Sequence, residues 1–139
     1  MKISTKGRYA LRVILDLAIY GDGNYVSLAD ISQRQGVSLK YLESIISSLK
    51  SAGLVESARG KTGGYRLTKE PKDYTVGEIL KSSEGSLAPV SCLDSAEACP
   101  RADSCLTLPI WSGLDKVIDE YLENYTIDEV INQRKQNVK

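Results

Sequence analysis

Ser27-Leu28-Ala29-Asp30-Ile31-Ser32-Gln33-Arg34-Gln35-Gly36-Val37-Ser38-Leu39-Lys40-Tyr41-Leu42-Glu43-Ser44-Ile45-Ile46-Ser47-Ser48-Leu49 carries two helix signals separated by one short turn. Ser27 is placed to cap a helix containing Leu28, Ala29, Ile31 and Ser32, and Gly36 to end it as a C-cap. Ser38 opens the next helix, in which Leu39, Leu42, Ile45, Ile46 and Leu49 share one face. With only Gly36, Val37 and Ser38 between them, the two helices form a helix-turn-helix unit.

Beyond Gly53 the pattern changes period. Leu54-Val55-Glu56-Ser57 and Tyr65-Arg66-Leu67-Thr68 read as short strands joined by Ala58-Arg59-Gly60-Lys61-Thr62-Gly63-Gly64, a β-hairpin with a basic, glycine-rich tip. On the N-terminal side, Ser4 or Thr5 caps a helix over residues 6 to 20 in which Leu11, Ile14, Leu15, Ala18 and Ile19 recur, and Gly21-Asp22-Gly23-Asn24 stops it. Helix, helix-turn-helix and hairpin in this order predict a winged helix-turn-helix, mainly α with a small β-hairpin (α+β). Pro71 to Asp73 marks a turn, and Thr75 caps a short helix to about Ser83, so the winged unit is expected to span residues 1–84.

Residues 85–108 contain Gly85, Pro89, Pro100 and all three cysteines with little periodicity, and read as a loop. Thr107 then caps a helix with Pro109 in its first turn. Along it, Ile110, Leu114, Val117, Ile118, Tyr121, Leu122 and Tyr125 form a long apolar stripe with little core of its own nearby. A partner subunit is the expected cover, which makes residues 109–139 a long C-terminal dimerisation helix followed by a short helix capped by Thr126, with Gln133 to Lys139 frayed.

The absence of His rules out His-based acid/base chemistry, Ser-His or Cys-His nucleophile pairs and His-ligated metal within the chain, and the expectation is that it is not an enzyme. No run of about 18 apolar residues occurs. The start MKISTKGRYA has no apolar signal region, so neither a membrane span nor secretion is expected, and the location is read as cytoplasmic. The formal charge of zero conceals an asymmetry. Residues 1–73 hold 12 Lys and Arg against 7 Asp and Glu, a surplus of five, while residues 74–139 hold 6 against 11, a deficit of five. The N-terminal half is the one suited to a polyanion.

Within that half, Ser38, Lys40, Tyr41, Glu43, Ser44 and Ser47 lie outside the apolar face of the third helix. Recognition helices present such hydroxyls, cations and carboxylates at their N-terminal end to base edges in the major groove, although an ordinary solvated face has the same composition. The hairpin tip adds Arg59 and Lys61 where a wing meets the minor groove or phosphates. Gly60-Lys61-Thr62 lacks the preceding glycine of a nucleotide-binding P-loop. Taken together after a helix-turn-helix, these features point to double-stranded DNA, with Lys6 and Arg8 on the first helix completing the candidate contacts.

Cys92, Cys99 and Cys105 are spaced C-x6-C and C-x5-C among Asp94, Glu97 and Asp103. Thiolates gathered in a short segment can wrap a soft metal centre, but the spacing equally fits three plain thiols or a zinc knot short of one ligand. A thiol oxidoreductase using the three as a relay is the alternative from another class, weakened by the lack of a C-x-x-C motif or a thioredoxin-like βαβ pattern.

Lys6-Gly7-Arg8-Tyr9-Ala10, Leu28-Ala29-Asp30-Ile31-Ser32, Tyr41-Leu42-Glu43, Gly53-Leu54-Val55, Arg59-Gly60, Gly63-Gly64-Tyr65 and Cys105-Leu106-Thr107 together give nearly the whole chain a specific likeness. It resembles the iron-sulfur cluster regulator (IscR) family of winged-helix transcription factors, which includes nitric-oxide-sensing and cysteine-metabolism branches. The resemblance implies a homodimeric transcription regulator, a repressor, that binds a two-fold operator through the third helix and wing and pairs through the long C-terminal helix. It further implies an iron-sulfur cluster on Cys92, Cys99 and Cys105 that tunes DNA binding. The chain departs from the pattern at the fourth ligand. Leu108 stands where the cluster regulator has His, and Arg8 where the nitric-oxide-sensing branch has an acidic residue on the first helix. Asp94, Glu97, Asp103, a small thiol or solvent are the remaining candidates. The cysteine-metabolism branch supplies the alternative of a cluster-free regulator that senses a metabolite or a protein partner.

Overall fold

Hydroxyl side chains start most of the helices in this structure, a computed structural model that describes residues 3–93 and 103–137, with side chains as far as Gln133. The helices are α1 (Thr5–Asp16), α2 (Leu28–Gln35), α3 (Leu39–Ser51), α4 (Val76–Glu84), α5 (Leu108–Glu123) and α6 (Ile127–Asn137). Ser4, Ser27, Ser38, Thr75 and Thr126 each accept a hydrogen bond from the backbone N–H three residues on, at 3.0 to 3.2 Å, which satisfies an amide that the helix itself leaves open. Gly36 ends α2 at φ 67, a left-handed conformation that costs a side-chain-bearing residue energy, and the chain turns there into α3.

The wing is an antiparallel pair, β1 (Val55–Ala58) and β2 (Gly64–Leu67), with Val55 opposite Leu67 and Ala58 opposite Gly64. Val26 bridges the other side of β2 through two 2.8 Å bonds with Tyr65, so the hairpin is anchored to the loop before α2. Gly64 is required there, because a Cβ would run into the Val26 carbonyl. Both strands lie one residue nearer the tip than the sequence spacing predicts. The Leu54 amide is taken by the Leu49 carbonyl at the end of α3, and the Thr68 amide is shared between the Tyr74 hydroxyl at 3.0 Å and the Leu54 carbonyl at 3.4 Å.

The first helix differs from expectation in a second way. It ends at Asp16 and continues as a π-helical turn, Leu17–Gly21. Such a turn takes in an extra residue, so Ile19 and Tyr20 rotate off the buried face while Gly21 stays buried. Ala10, Val13, Ile14 and Leu17 point inward, and Ile19 and Tyr20 are left more than half exposed. One buried cluster joins these α1 residues to Ile31, to Leu42, Ile45, Ile46 and Leu49 of α3, and to Leu54, Val55, Tyr74 and Ile79. Ile127 of α6 belongs to the same cluster, and its amide donates to the Tyr74 carbonyl at 3.1 Å. This docking explains why the last helix is longer than expected: it continues through the stretch read as frayed to Asn137, and residues 138 and 139 lie outside the described residues.

Thr107 occupies the position before α5, but its backbone is already helical and its side chain makes no capping bond, which corrects the expected cap; Pro109 sits in the first turn as expected. The apolar stripe divides in two. Ile110, Leu114, Val117 and Tyr121 are 41 to 64% exposed, whereas Ile118, Leu122 and Tyr125 are half-buried. Ile118 lines a cavity of about 310 Å³ with Lys81, Leu87 and Leu93. In residues 85–107 the described part has a short 3-10 helix, Ser91–Leu93, and turns at 103–104 and 106–107.

Candidate nucleic-acid interface and cysteine segment

The Ser38 cap fixes where α3 begins, and the four inward residues Leu42, Ile45, Ile46 and Leu49 fix its rotation. Ser38, Lys40, Glu43, Ser44 and Ser47 are therefore exposed on the remaining surface. Tyr41 is different: it is half-buried and meets Tyr9 of α1 edge-on, with ring centres 6.1 Å apart, so its ring holds α3 against α1. Leu39, at the helix start, is 48% exposed.

At the hairpin, Arg59 and Lys61 are both exposed at the tip. Among the described residues the side chains of Lys40, Glu43, Arg59 and Lys61 have no hydrogen bond or ion pair. By contrast Arg34 pairs with Asp16, Arg66 with Glu56, Lys69 with Glu78, and Lys81 with Asp119 and Glu123. The start of α3 and the wing tip thus keep unpaired charge open to solvent, as do Glu70 and Lys72 beyond the wing. Of the two candidate contacts on α1, Lys6 is half-buried, and Arg8 is exposed and donates to the Thr5 hydroxyl at 3.1 Å.

The wing is held at its base by a residue that sequence reasoning missed. Tyr74 is fully buried; its hydroxyl donates to the Leu54 carbonyl at 2.7 Å and accepts the amides of Thr68 and Lys69 at 3.0 and 3.2 Å. Both strand roots therefore meet at one oxygen. Lys50 of α3 also reaches Ser57 of β1, at 2.8 Å. Asp16, Arg34 and Gln35 were missed as well, and join the end of α1 to the end of α2. The available signal was a carboxylate between Leu15 and Leu17 on a helix bound for the core, since a buried carboxylate calls for a cationic partner.

Cys92 lies in the Ser91–Leu93 turn and Cys105 just before α5, while Cys99, Asp94 and Glu97 lie outside the described residues. Asp103 is exposed. Among the described residues no group of three His, Cys, Asp or Glu is gathered to hold a metal ion. The Cys105 sulfur is 3.3 Å from the Thr107 hydroxyl. That hydroxyl, followed by the backbone amides of Thr107 and Leu108, holds the thiol below its ordinary pKa. A sulfur that favours its thiolate form fits the role of a soft-metal ligand.

The helices that flank the cysteine segment, α4 and α5, are tied to each other and to α1. Glu84, at the end of α4, accepts from the amide and hydroxyl of Ser4 at the start of α1, at 2.8 and 2.5 Å. Lys81 reaches Asp119 and Glu123 of α5, and the Thr75 hydroxyl also donates to Glu123, at 3.0 Å.

Comparison with known proteins places this geometry. The Rrf2 profile, described as an iron-dependent transcriptional regulator, matches residues 3–133. A relative in Pectobacterium atrosepticum, the HTH-type transcriptional regulator IscR, is 41% identical over 135 residues, covering 97% of this chain and 82% of that one. Among solved structures, T. potens IscR superposes with a TM-score of 0.80 at 36% identity, over all of this chain and 92% of that one. CymR (YrzC), the global cysteine regulator of B. subtilis, superposes at 0.77 with 35% identity, over 96% of this chain and 98% of that one.

Proposed function

This chain belongs to the Rrf2 family of DNA-binding transcriptional regulators and is not an enzyme; from that premise we propose that it is a cytoplasmic homodimeric repressor of a two-fold operator, with an affinity set by a cysteine-held iron-sulfur cluster. The observation that carries the DNA reading is the pairing of exposed polar side chains at the start of α3 with unneutralised cations there and at the wing tip. In this reading α3 enters the major groove by its N-terminal end. Lys40 donates to guanine acceptors, Glu43 accepts from a cytosine amino group, and Ser38 and Ser44 bond to either class of edge. Tyr41 contributes at the flank while packing on Tyr9. Arg59 and Lys61 meet the minor groove or its phosphates, and Lys6 and Arg8 add backbone charge.

The outward face of α5 supports the dimer. Ile110, Leu114, Val117 and Tyr121 are spaced 4, 3 and 4 residues apart, the seam of paired helices, and all four are exposed in the single chain. A second copy covering that face would set the distance between the two α3 helices and hence between the half-sites.

For the cluster, Cys92, Cys99 and Cys105 would be the protein ligands, and the lowered Cys105 thiol is the observation in favour. When bound, an iron-sulfur cluster supplies a centre sensitive to redox state and oxygen. The chain's own contribution is the route outward: residues 85–107 run between α4, tied to α1 through Glu84, and α5, tied to α4 through Lys81. A second reading, a cluster-free regulator that senses a metabolite or a protein partner, is favoured by Leu108 and Arg8 standing at the two fourth-ligand positions. Anaerobic purification with iron and sulfide analysis, followed by operator binding by the parent and by Ala variants at each cysteine, separates the two. Iron and sulfide in the parent, lost in each variant with a changed affinity, supports the cluster; metal-free protein with unaltered variants supports the cluster-free reading.

A further inference from the structure

We propose that Asp16 is a positioning residue for operator recognition: its buried carboxylate, clamped by Arg34 and Gln35, sets the angle at which the helix-turn-helix meets DNA. The inference rests on the reading that α3 enters the major groove.

Asp16 is 1% exposed, the charged residue within the buried set of the described chain. Its Oδ1 accepts from Arg34 Nη2 at 2.8 Å, and its Oδ2 accepts from Arg34 Nε at 2.9 Å and from Gln35 Nε2 at 2.9 Å. The planar guanidinium fork fixes direction as well as distance. The guanidinium carbon also lies 4.4 Å from the centre of the Tyr20 ring, which the π-helical turn has carried round to that side. The carboxylate is buried while Arg34 stays partly open to solvent, and an ion pair formed at such a carboxylate contributes little net stability compared with an apolar pair of equal volume, because desolvation offsets much of the Coulomb attraction. What the clamp provides and an apolar contact does not is a fixed orientation between α1 and the last turn of α2.

The place where it acts gives that orientation its consequence. Arg34 and Gln35 are the last two residues of α2, directly before Gly36. The Ser32 hydroxyl then holds the Val37 carbonyl, and Ser38 caps α3, so a short, hydrogen-bonded path leads from Asp16 to the reading end. The remaining support of α3 is largely apolar, through Leu42, Ile45, Ile46 and Leu49, all of which lie on α3 itself beyond the turn. Without the clamp, a displacement of about 1 Å at the turn would move Lys40 and Glu43 off their base edges. Long, flexible cations would still reach phosphates, so base readout falls while backbone binding remains.

The test begins with duplexes selected by the parent protein from a random-sequence pool. Affinities for the best selected duplex and for a shuffled duplex of the same composition are measured per active molecule, alongside thermal melting. The variants are Asp16→Asn, Arg34→Lys and the apolar double variant Asp16→Leu with Arg34→Met. The ratio of selected to shuffled affinity is expected to fall at least about tenfold in Asp16→Asn and in the double variant, with shuffled-duplex affinity held within about twofold. Arg34→Lys, which keeps the charge but loses the planar fork, should retain part of the ratio. A purely structural role would move the melting temperature and the active fraction, and leave the ratio per active molecule alone. If Asp16→Asn does not fold, the double variant decides, since it buries no unpaired charge. A folded double variant with the parental ratio overturns the proposal, and a parent protein that selects no duplex overturns the α3 reading with it.

Discussion

α1 to α4 each begin on a side-chain cap and turn their apolar residues inward, and the winged unit they build exposes unpaired cations at Lys40, Arg59 and Lys61. α5 does the reverse. It has no capping bond and no fully buried residue, and its basic residue Lys116 faces Glu120 while Ile110, Leu114, Val117 and Tyr121 face out. A region that closes its own core and exposes unpaired charge is suited to a polyanion, which binds through charge. A region that exposes an apolar seam is suited to another apolar surface, which binds by excluding water. The two halves thus differ in what would complete them: DNA for the first and, as proposed above, a second copy for the other.

The largest effect is expected on the apolar side of that contrast. Val117→Asp places a charge in the seam and should weaken self-association at least about hundredfold, near 3 kcal/mol, as read by sedimentation equilibrium. A stable dimer from this variant would remove the reason for treating α5 as unfinished. Arg59→Ala acts on the charged side. It is expected to cost about 1 to 3 kcal/mol of operator affinity and to reduce the slope of affinity against salt by about one, without changing the association state. A variant that binds with parental affinity and slope would take the wing out of the interface.

Tyr74→Phe probes the closed core of the winged half. It leaves the Leu54 carbonyl and the Thr68 and Lys69 amides short of their shared partner, so denaturant unfolding should show a loss of about 1 to 2 kcal/mol. The smallest test compares two helix starts. Ser27→Ala removes a capping bond and should cost about 1 kcal/mol. Thr107→Ala removes none and should cost less than about 0.5 kcal/mol. Equal losses would mean that the contrast in capping is not one of energy.

What was legible beforehand follows the same division. Ser27, Gly36 and Ser38 act over three or four residues, so the helix-turn-helix could be read directly, and the wing within one residue at each strand. The π-helical turn could not be read, because Leu17 to Gly21 has the same composition as an ordinary helix end, and the contact that accompanies it joins Tyr20 to Arg34 on another helix. Tyr74 was passed over as the residue after a turn, since its three bonds join segments between 5 and 20 positions away. For the α5 stripe, periodicity identified the apolar positions but not which of two neighbours each would meet. Ile118 turned out to face the cavity beside Lys81, and Val117 to face outward. Of the candidate contacts, Lys40 and Arg59 were readable as exposed cations, whereas the half-burial of Tyr41 depends on Tyr9, 32 positions earlier.

The central claim is that a closed winged unit reads DNA while α5 pairs two such units. It is tested most directly by selecting duplexes from a random pool and measuring the mass of the resulting complex in the same preparation. The expected result is a motif of two inverted half-sites with centres about one helical turn apart, or a whole multiple of it, bound by two chains per duplex. A single asymmetric half-site bound by one chain, or no enrichment at all, would contradict it.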